Sequence, residues 1–502
     1  MSSAAELDAG LASAFGVALE TAPWLPAEDA EPEELLRAAE QIGHAIGDRR
    51  AVPIAERAWT GLPARPSVAA SPDERRSAIA RVLAWANAAG ASWDGIEFHV
   101  DADGNASVRA SRTISPGAPI LTLPRRLMIV DHDLGASTTG APALGLAEPR
   151  PRDTLAAWLA LEAREPGSRW RAYLDALPAQ LAELPMFHDA DDLAALAGTA
   201  AYALAAEGNR DVLDTYGRLS WELRARLSLA DFAWGCALVK SRGFHAPGFV
   251  EHRLALLPVV EFFNHRVGDT TWSYDPLAEL FVVTTERGFS IGDEVHFTYG
   301  DHSNTLLLVH FGFAAPSTPT REAGLLFACA SDPVNAVAAH LLWNLPLDAP
   351  ARLRVGTNLD HRFLRALSLA RLQASGPAER ARALDGGLAA YGDMPWLDGT
   401  LEEAAFAVLA AAARRALGEL DAHTPRAADH AWGRTCAIVR DAERAVLDEI
   451  LELTSAVREY LHVQDPARLR AAADSIPADA IGAQCLLRQY LRALARELIT
   501  GS

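Results

Sequence analysis

The polar residues able to do chemistry gather in the second half of the first 315 positions. Ser241-Arg242, Asn264-His265 and Tyr299 stand among apolar and aromatic neighbours, with His296 and His302 on either side of the tyrosine. A guanidinium is always charged and offers paired donors that suit a carboxylate. A phenol is protonated at neutral pH, so Tyr299 is a hydrogen-bond donor there rather than a general base. Each group also has an ordinary structural reading: an ion pair for Arg242, a satisfied buried pair for Asn264-His265, packing for Tyr299. His296 and His302 find no third ligand at recognised spacing, and strand alternation puts His296 and Tyr299 on opposite faces, so no metal site is expected.

Short strands and turns must hold these groups. Residues 254–260 form an apolar run broken by Pro258, which suits a buried strand entering a turn. Residues 281–285 are β-branched and aromatic, and residues 294–299 alternate like a half-buried strand. Ser303-Asn304 can cap a short helix. Upstream, Ser71-Pro72-Asp73-Glu74 opens a helix as a capping box, with Gly90 at its far end. Strands are expected at 96–100, near Val108 and at 119–124. Residues 153–229 read as helical. Beyond 315 the pattern is helical throughout: 335–345, 360–372, a capping box at Thr400-Leu401-Glu402-Glu403 leading into 404–420, one long helix through Ile438 to Leu461, and a last helix at 481–499.

The order of the motifs is more specific than any one of them. Ser241-Arg242-Gly243-Phe244, Pro258, Glu261, Asn264-His265, Gly292-Asp293-Glu294-Val295, Tyr299-Gly300, Ser303-Asn304 and Gly312-Phe313 follow one another. Leu123-Pro124-Arg125-Arg126-Leu127 and the Trp170…Tyr173-Leu174…Leu177-Pro178…Leu184-Pro185 phrase precede them. This order resembles the SET-domain methyltransferases, in particular the subgroup of the Rubisco large-subunit lysine methyltransferase and the actin-histidine methyltransferase. The resemblance implies an α+β fold. Small sheets with a pseudoknot are split by a helical insert at about 150–230, and an all-helical C-terminal domain follows. It divides the chain into an N-terminal helical appendage and linker (1–70), a SET domain (71–315) and a substrate-docking domain (316–502).

The resemblance also implies a cofactor, S-adenosylmethionine, and roles. Arg242, Asn264 and His265 would bind the cofactor. Tyr299 would do so as well and would orient the acceptor amine. Ser241, Trp272, Tyr274 and Phe311 would line the substrate channel, Phe311 standing where the lysine enzymes commonly carry a tyrosine. The family's Gly-x-Gly lip at the cofactor falls on Asn105, Ala106 and Ser107, a departure that alters the lip. The implied activity is N-methylation of a protein or peptide, on a lysine side chain. A histidine or other acceptor, a non-catalytic SET scaffold and a repurposed use of the sulfonium cofactor stay open.

Composition narrows the partners. The 502 residues carry 65 acidic and 46 basic side chains, a net charge of -19, which repels nucleic acid and favours a partner with a basic segment. Four widely spaced cysteines make no zinc set and no disulfide framework, and no run of about 18 apolar residues occurs. A cytoplasmic location without membrane attachment is the expectation. Heavy use of Ala and Arg with very little Lys suggests a GC-rich bacterial genome.

Overall fold

A computed structural model describes residues 61–65, 71–102, 104–245, 254–328, 351–375, 399–423 and 430–500. The expectations for 1–60, 66–70 and 335–345 lie outside them. The contacts divide the chain into two units, residues 60–193 with 204–315, and, among the described residues, 194–203 with 316–502.

The first unit opens with helix α1 (Pro72–Ala88). Ser71 and Glu74 close a reciprocal capping box, which satisfies two otherwise orphaned amide donors. Strands β1 (Ser92–Trp93), β2 (Ile96–Val100), β3 (Ala106–Ala110), β4 (Pro119–Pro124) and β5 (Ile129–Val130) follow. Helices α2 (Pro151–Glu162), α3 (Arg171–Ala176), α4 (Ala200–Arg218), α5 (Trp221–Arg226) and α6 (Leu229–Arg242) come next. The chain returns to strands in β6 (Gly243–His245), β7 (Leu254–Leu256), β8 (Thr270–Asp275) and β9 (Leu280–Thr285), and ends the unit in α7 (Asn304–Phe311). The sheets are small and antiparallel: β1-β4-β9-β8, β2-β3 and β5-β7-β6. Their inner faces and the helices share one core, in which Trp158, Tyr173, Phe263, Phe281 and Phe297 are buried.

Residues 294–299 depart from the expected strand. Val295 donates to the Val108 carbonyl at 2.8 Å, and Phe297 to the Asn264 carbonyl at 2.8 Å. The segment thus changes partner, from β3 to the Asn264-His265 turn, within two residues. Only isolated bridges form, Arg109 to Glu294 and, in parallel, His265 to Phe297. Val295, His296 and Phe297 are buried one after another, so burial does not alternate here, and no ladder is long enough to make a strand.

The second unit is not all helical. Strands β10 (Glu322–Phe327) and β11 (Ala351–Gly356) pair antiparallel over their full length. Every residue of β10 is buried, so its sequence lacks the alternation that distinguishes a strand from a buried helix. Among the described residues, helices α8 (His361–Ala374), α9 (Gly399–Ala422), α10 (Ala431–Ala456), α11 (Pro466–Ser475) and α12 (Gly482–Thr500) pack around a separate core. Helix α9 begins at Gly399, one residue before Thr400, so the expected capping box lies inside its first turn.

Candidate active site

A cavity of about 1800 Å³ opens in the first unit. The residues around it come from α1, the β3 lip, the α2–α3 region, α4, α6 and the 258–313 segment. Ser241, Arg242, Asn264, His265, Trp272, Tyr299 and Phe311 all line it, as do Asn105 and Ala106. Ser107 and Tyr274 do not. Alternation along β3 turns Ser107 to the face opposite Ala106. Tyr274 lies two residues beyond Trp272 on β8, about 7 Å farther along the strand.

Arg242 ends α6. Ser241 donates its hydroxyl to the Ala237 carbonyl at 2.8 Å and accepts from Arg242 Nη1 at 2.8 Å. The serine therefore anchors the guanidinium to the last helical turn. Arg242 Nε lies 3.6 Å from the Glu261 carboxylate, too long for a hydrogen bond, and is a buried donor without a partner. Glu261 accepts from the Tyr173 hydroxyl at 3.2 Å. Burial raises the Glu261 pKa, while the charges of Arg242 and then Arg75 pull it down. Glu261 sits on a single 3-10 turn, Val260–Phe262, entered through Val259 at φ +76°, a backbone region that β-branched residues rarely occupy.

Asn264 and His265 follow that turn. Asn264 donates its amide to Glu294 at 2.8 Å. Behind Glu294, His296 stands 3.7 Å away on one ring nitrogen and 2.8 Å from Asp269 on the other. Arg287 holds Asp269 from the far side at 2.6 Å. Burial pushes Asp269 up, but the bonds from Arg287 and His296 outweigh it and hold the carboxylate below its usual range. His296 thus belongs to a supporting chain of polar groups behind Asn264. No group of three potential metal ligands occurs among the described residues.

His265 Nδ1 accepts the Tyr299 amide proton at 3.1 Å, so a neutral imidazole carries its own proton on Nε2. Burial, then the neighbouring His302, lowers its pKa. Tyr299 donates its hydroxyl to the Phe263 carbonyl at 2.7 Å. Burial pushes its pKa up to about 12, so the phenol stays protonated and aimed by that carbonyl. Its ring lies 4.9 Å from Phe311 and 5.1 Å from His265. Phe311 is the last residue of α7, which Ser303 caps and Gly312 terminates at φ +83°. A side chain at Gly312 would also meet Glu183 Cβ at 2.8 Å, so both conformation and space require glycine.

The lip differs from the family pattern without blocking the cavity. Asn105 turns its side chain to Asp101, donating from its amide at 3.1 Å and from its backbone at 2.8 Å. The preceding Gly104 takes φ +87°.

Sequence reasoning missed several residues of this cavity. Arg75 and Lys240 line it, as do Phe244, Glu261 and Phe313, which were noted only as parts of motifs; Glu261 is its buried acid. Glu261 had a signal, its fixed place three residues before Asn264. Arg75 had none, because it comes from α1, far away in the chain.

No protein-family model matches the chain. The solved structure of the SET domain of LSMT bound to lysine and AdoHcy superposes with a TM-score of 0.60 at 19% identity, covering 77% of this chain and 92% of that one. The structure of Rubisco LSMT bound to AdoMet gives 0.59 at 20% identity. The fold is that of a SET domain. Sequence relatives lie in the same group. The actin-histidine N-methyltransferase of Drosophila melanogaster is 26% identical over 327 residues, 58% of this chain and 59% of that protein. The chloroplastic [fructose-bisphosphate aldolase]-lysine N-methyltransferase of Arabidopsis thaliana is 28% identical over 231 residues, 42% of this chain and 46% of that one. The chain thus spans about half the length of these relatives.

Proposed function

We propose that this protein is an S-adenosylmethionine-dependent N-methyltransferase acting on a protein or peptide, with a lysine side chain as acceptor. One observation carries the reading: Arg242, Asn264, His265 and Tyr299, from three separate segments, line one cavity. The group fits the residues present, since Arg242 Nε is a buried donor lacking a partner, suited to a carboxylate. When bound, the cofactor supplies an electrophilic methyl on a sulfonium. Arg242 would hold its carboxylate, and Asn264 and His265 its amino and adenine ends. Tyr299, kept protonated, would orient the acceptor nitrogen and offer a fixed dipole beside the transferring methyl. Phe244, Phe311 and Phe313 are cavity-lining apolar walls. Apolar walls exclude water and favour the neutral, nucleophilic amine. Positioning of nucleophile and methyl would supply much of the rate.

The same reading takes residues 150–230 as an insert splitting the SET core, the crossing of 294–299 with 264–265 as part of its pseudoknot, and 316–502 as a docking domain for a substrate with a basic segment. It places the protein in a reducing cytoplasm. No helix among the described residues is long and apolar enough to cross a membrane, and Cys236, Cys436 and Cys485 are free thiols. A histidine acceptor is the second reading, supported by the actin-histidine relatives and by Phe311, which offers no hydroxyl to an ammonium.

Calorimetric titration with S-adenosylhomocysteine tests the proposal. The parent protein should bind, and Arg242→Met should bind at least about tenfold more weakly, the loss of one charge-assisted hydrogen bond. Absence of binding to the parent would turn the reading to a non-catalytic scaffold with an altered lip at Asn105 and Ala106.

A further inference from the structure

Lys240 is the only lysine in the 502 residues, against 45 arginines. It lies two residues before Arg242 on α6, one turn after Cys236, and lines the same cavity. Its ammonium stands beside α4, where a Cβ built on Gly208 would be 3.6 Å from Nζ. Arg150 and Arg152, at the start of α2, also line the cavity. These two arginines are paired. Arg150 reaches Asp153 at 2.6 Å and Asp211 at 2.9 Å, and Arg152 reaches Asp153 at 3.3 Å and also contacts Asp211.

Lys240 makes no hydrogen bond or ion pair among the described residues. Three cations therefore face two carboxylates, leaving one positive charge in excess at the cavity wall. Burial and then the charge of Arg152 depress the lysine to about 8, and Cys236 pulls the other way. No carboxylate enters that balance. Of these three cations, the one without an acid partner is a compact ammonium beside a glycine. A planar guanidinium would need more room there.

We propose that Lys240, with Arg152 beside it, forms an oxyanion subsite of the cavity that takes a carboxylate or phosphate group. If the methyltransferase reading holds, the natural source is an acidic side chain close to the acceptor residue of the substrate. The subsite itself requires only the anion. An oxyanion there would relieve the repulsion between Lys240 and Arg152 and raise the pKa of the lysine.

The single lysine makes the test direct. Protein grown with lysine labelled at 13Cε gives one lysine resonance, assigned by its loss in Lys240→Arg. Its pH titration is followed in chloride, in inorganic phosphate and with N-acetylglutamate amide, all at matched ionic strength. In chloride the midpoint should lie near 8. Phosphate should raise it by about one unit, roughly tenfold in proton affinity, and Arg152→Gln should diminish that rise. A rise with phosphate alone assigns a free oxyanion. A rise with the capped glutamate as well assigns a carboxylate supplied by a partner. The same midpoint in all three solutions overturns the subsite and shows a merely hydrated ammonium. The measurement uses neither cofactor nor methyl transfer, so its failure leaves the proposed activity untouched.

Discussion

Each unit of the protein brings together an arginine, a glutamate and a tyrosine, and the two triads differ in how closely they approach. In the second unit Arg371 donates to Glu402 at 2.6 Å, and Tyr490 donates to the other oxygen of that carboxylate at 2.8 Å. The arginine and glutamate side chains are 0% and 1% exposed. In the first unit Arg242 and Glu261 stand 3.6 Å apart, at 20% and 5% exposure, and Tyr173 reaches Glu261 at 3.2 Å. The closed triad joins α8, α9 and α12 within a core. The open triad has a cavity on one side and a donor left over. The same residue types make a structural staple where arginine and carboxylate meet at hydrogen-bond distance, and a ligand position where they stand apart beside a cavity.

The largest effect should come from breaking the closed triad. Glu402→Ala removes the buried carboxylate that Arg371 and Tyr490 share, and stability should fall by about 3–5 kcal/mol in urea unfolding. A loss under about 1 kcal/mol would mean that water reaches the site, and the contrast with the open triad would fail.

Tyr299 sharpens the comparison at high pH. Its folded pKa of about 12 lies above the unfolded phenol value. An acid raised on folding has its full stability contribution below the unfolded pKa. Between about pH 10 and 12 the unfolded state releases the proton first, and stability is lost. The parent should lose up to about 2–3 kcal/mol over that window, and Tyr299→Phe should lose less. Parallel pH dependence of the two proteins would show that the phenol is not buried in this way.

The smallest effects compare the two remaining tyrosines. Tyr490→Phe leaves a buried carboxylate oxygen short of a donor and should cost about 1–3 kcal/mol. Tyr173→Phe, at the looser triad, should cost less than about 1 kcal/mol, because Glu261 also faces two arginines and has a raised pKa. Equal losses in thermal unfolding would erase the distinction between the triads.

Much of the candidate site was legible in the sequence. Ser241-Arg242, Asn264-His265, Tyr299 and Phe311 sit in turns and helix ends whose chemistry is local, and their order along the chain is itself a signal. The caps at Ser71 and Ser303 were readable for the same reason. Strand β10 was not, because burial on both faces removes the pattern that marks a strand. The expected lip and channel ran one residue too far at Ser107 and two at Tyr274, where strand direction, and not residue type, decides what faces the cavity.

What the sequence by itself determined is where helices and turns begin and end, since caps, glycines and prolines act on neighbours a few residues away. Which polar groups are satisfied was decided only by tertiary structure. Tyr173 lies 88 residues from Glu261, and Tyr490 lies 88 residues from Glu402. Equal tyrosine–glutamate spacing and equal residue types produced one open triad and one closed one. A hydrogen bond depends on ångströms of approach set by packing across the core, and no local pattern encodes that distance.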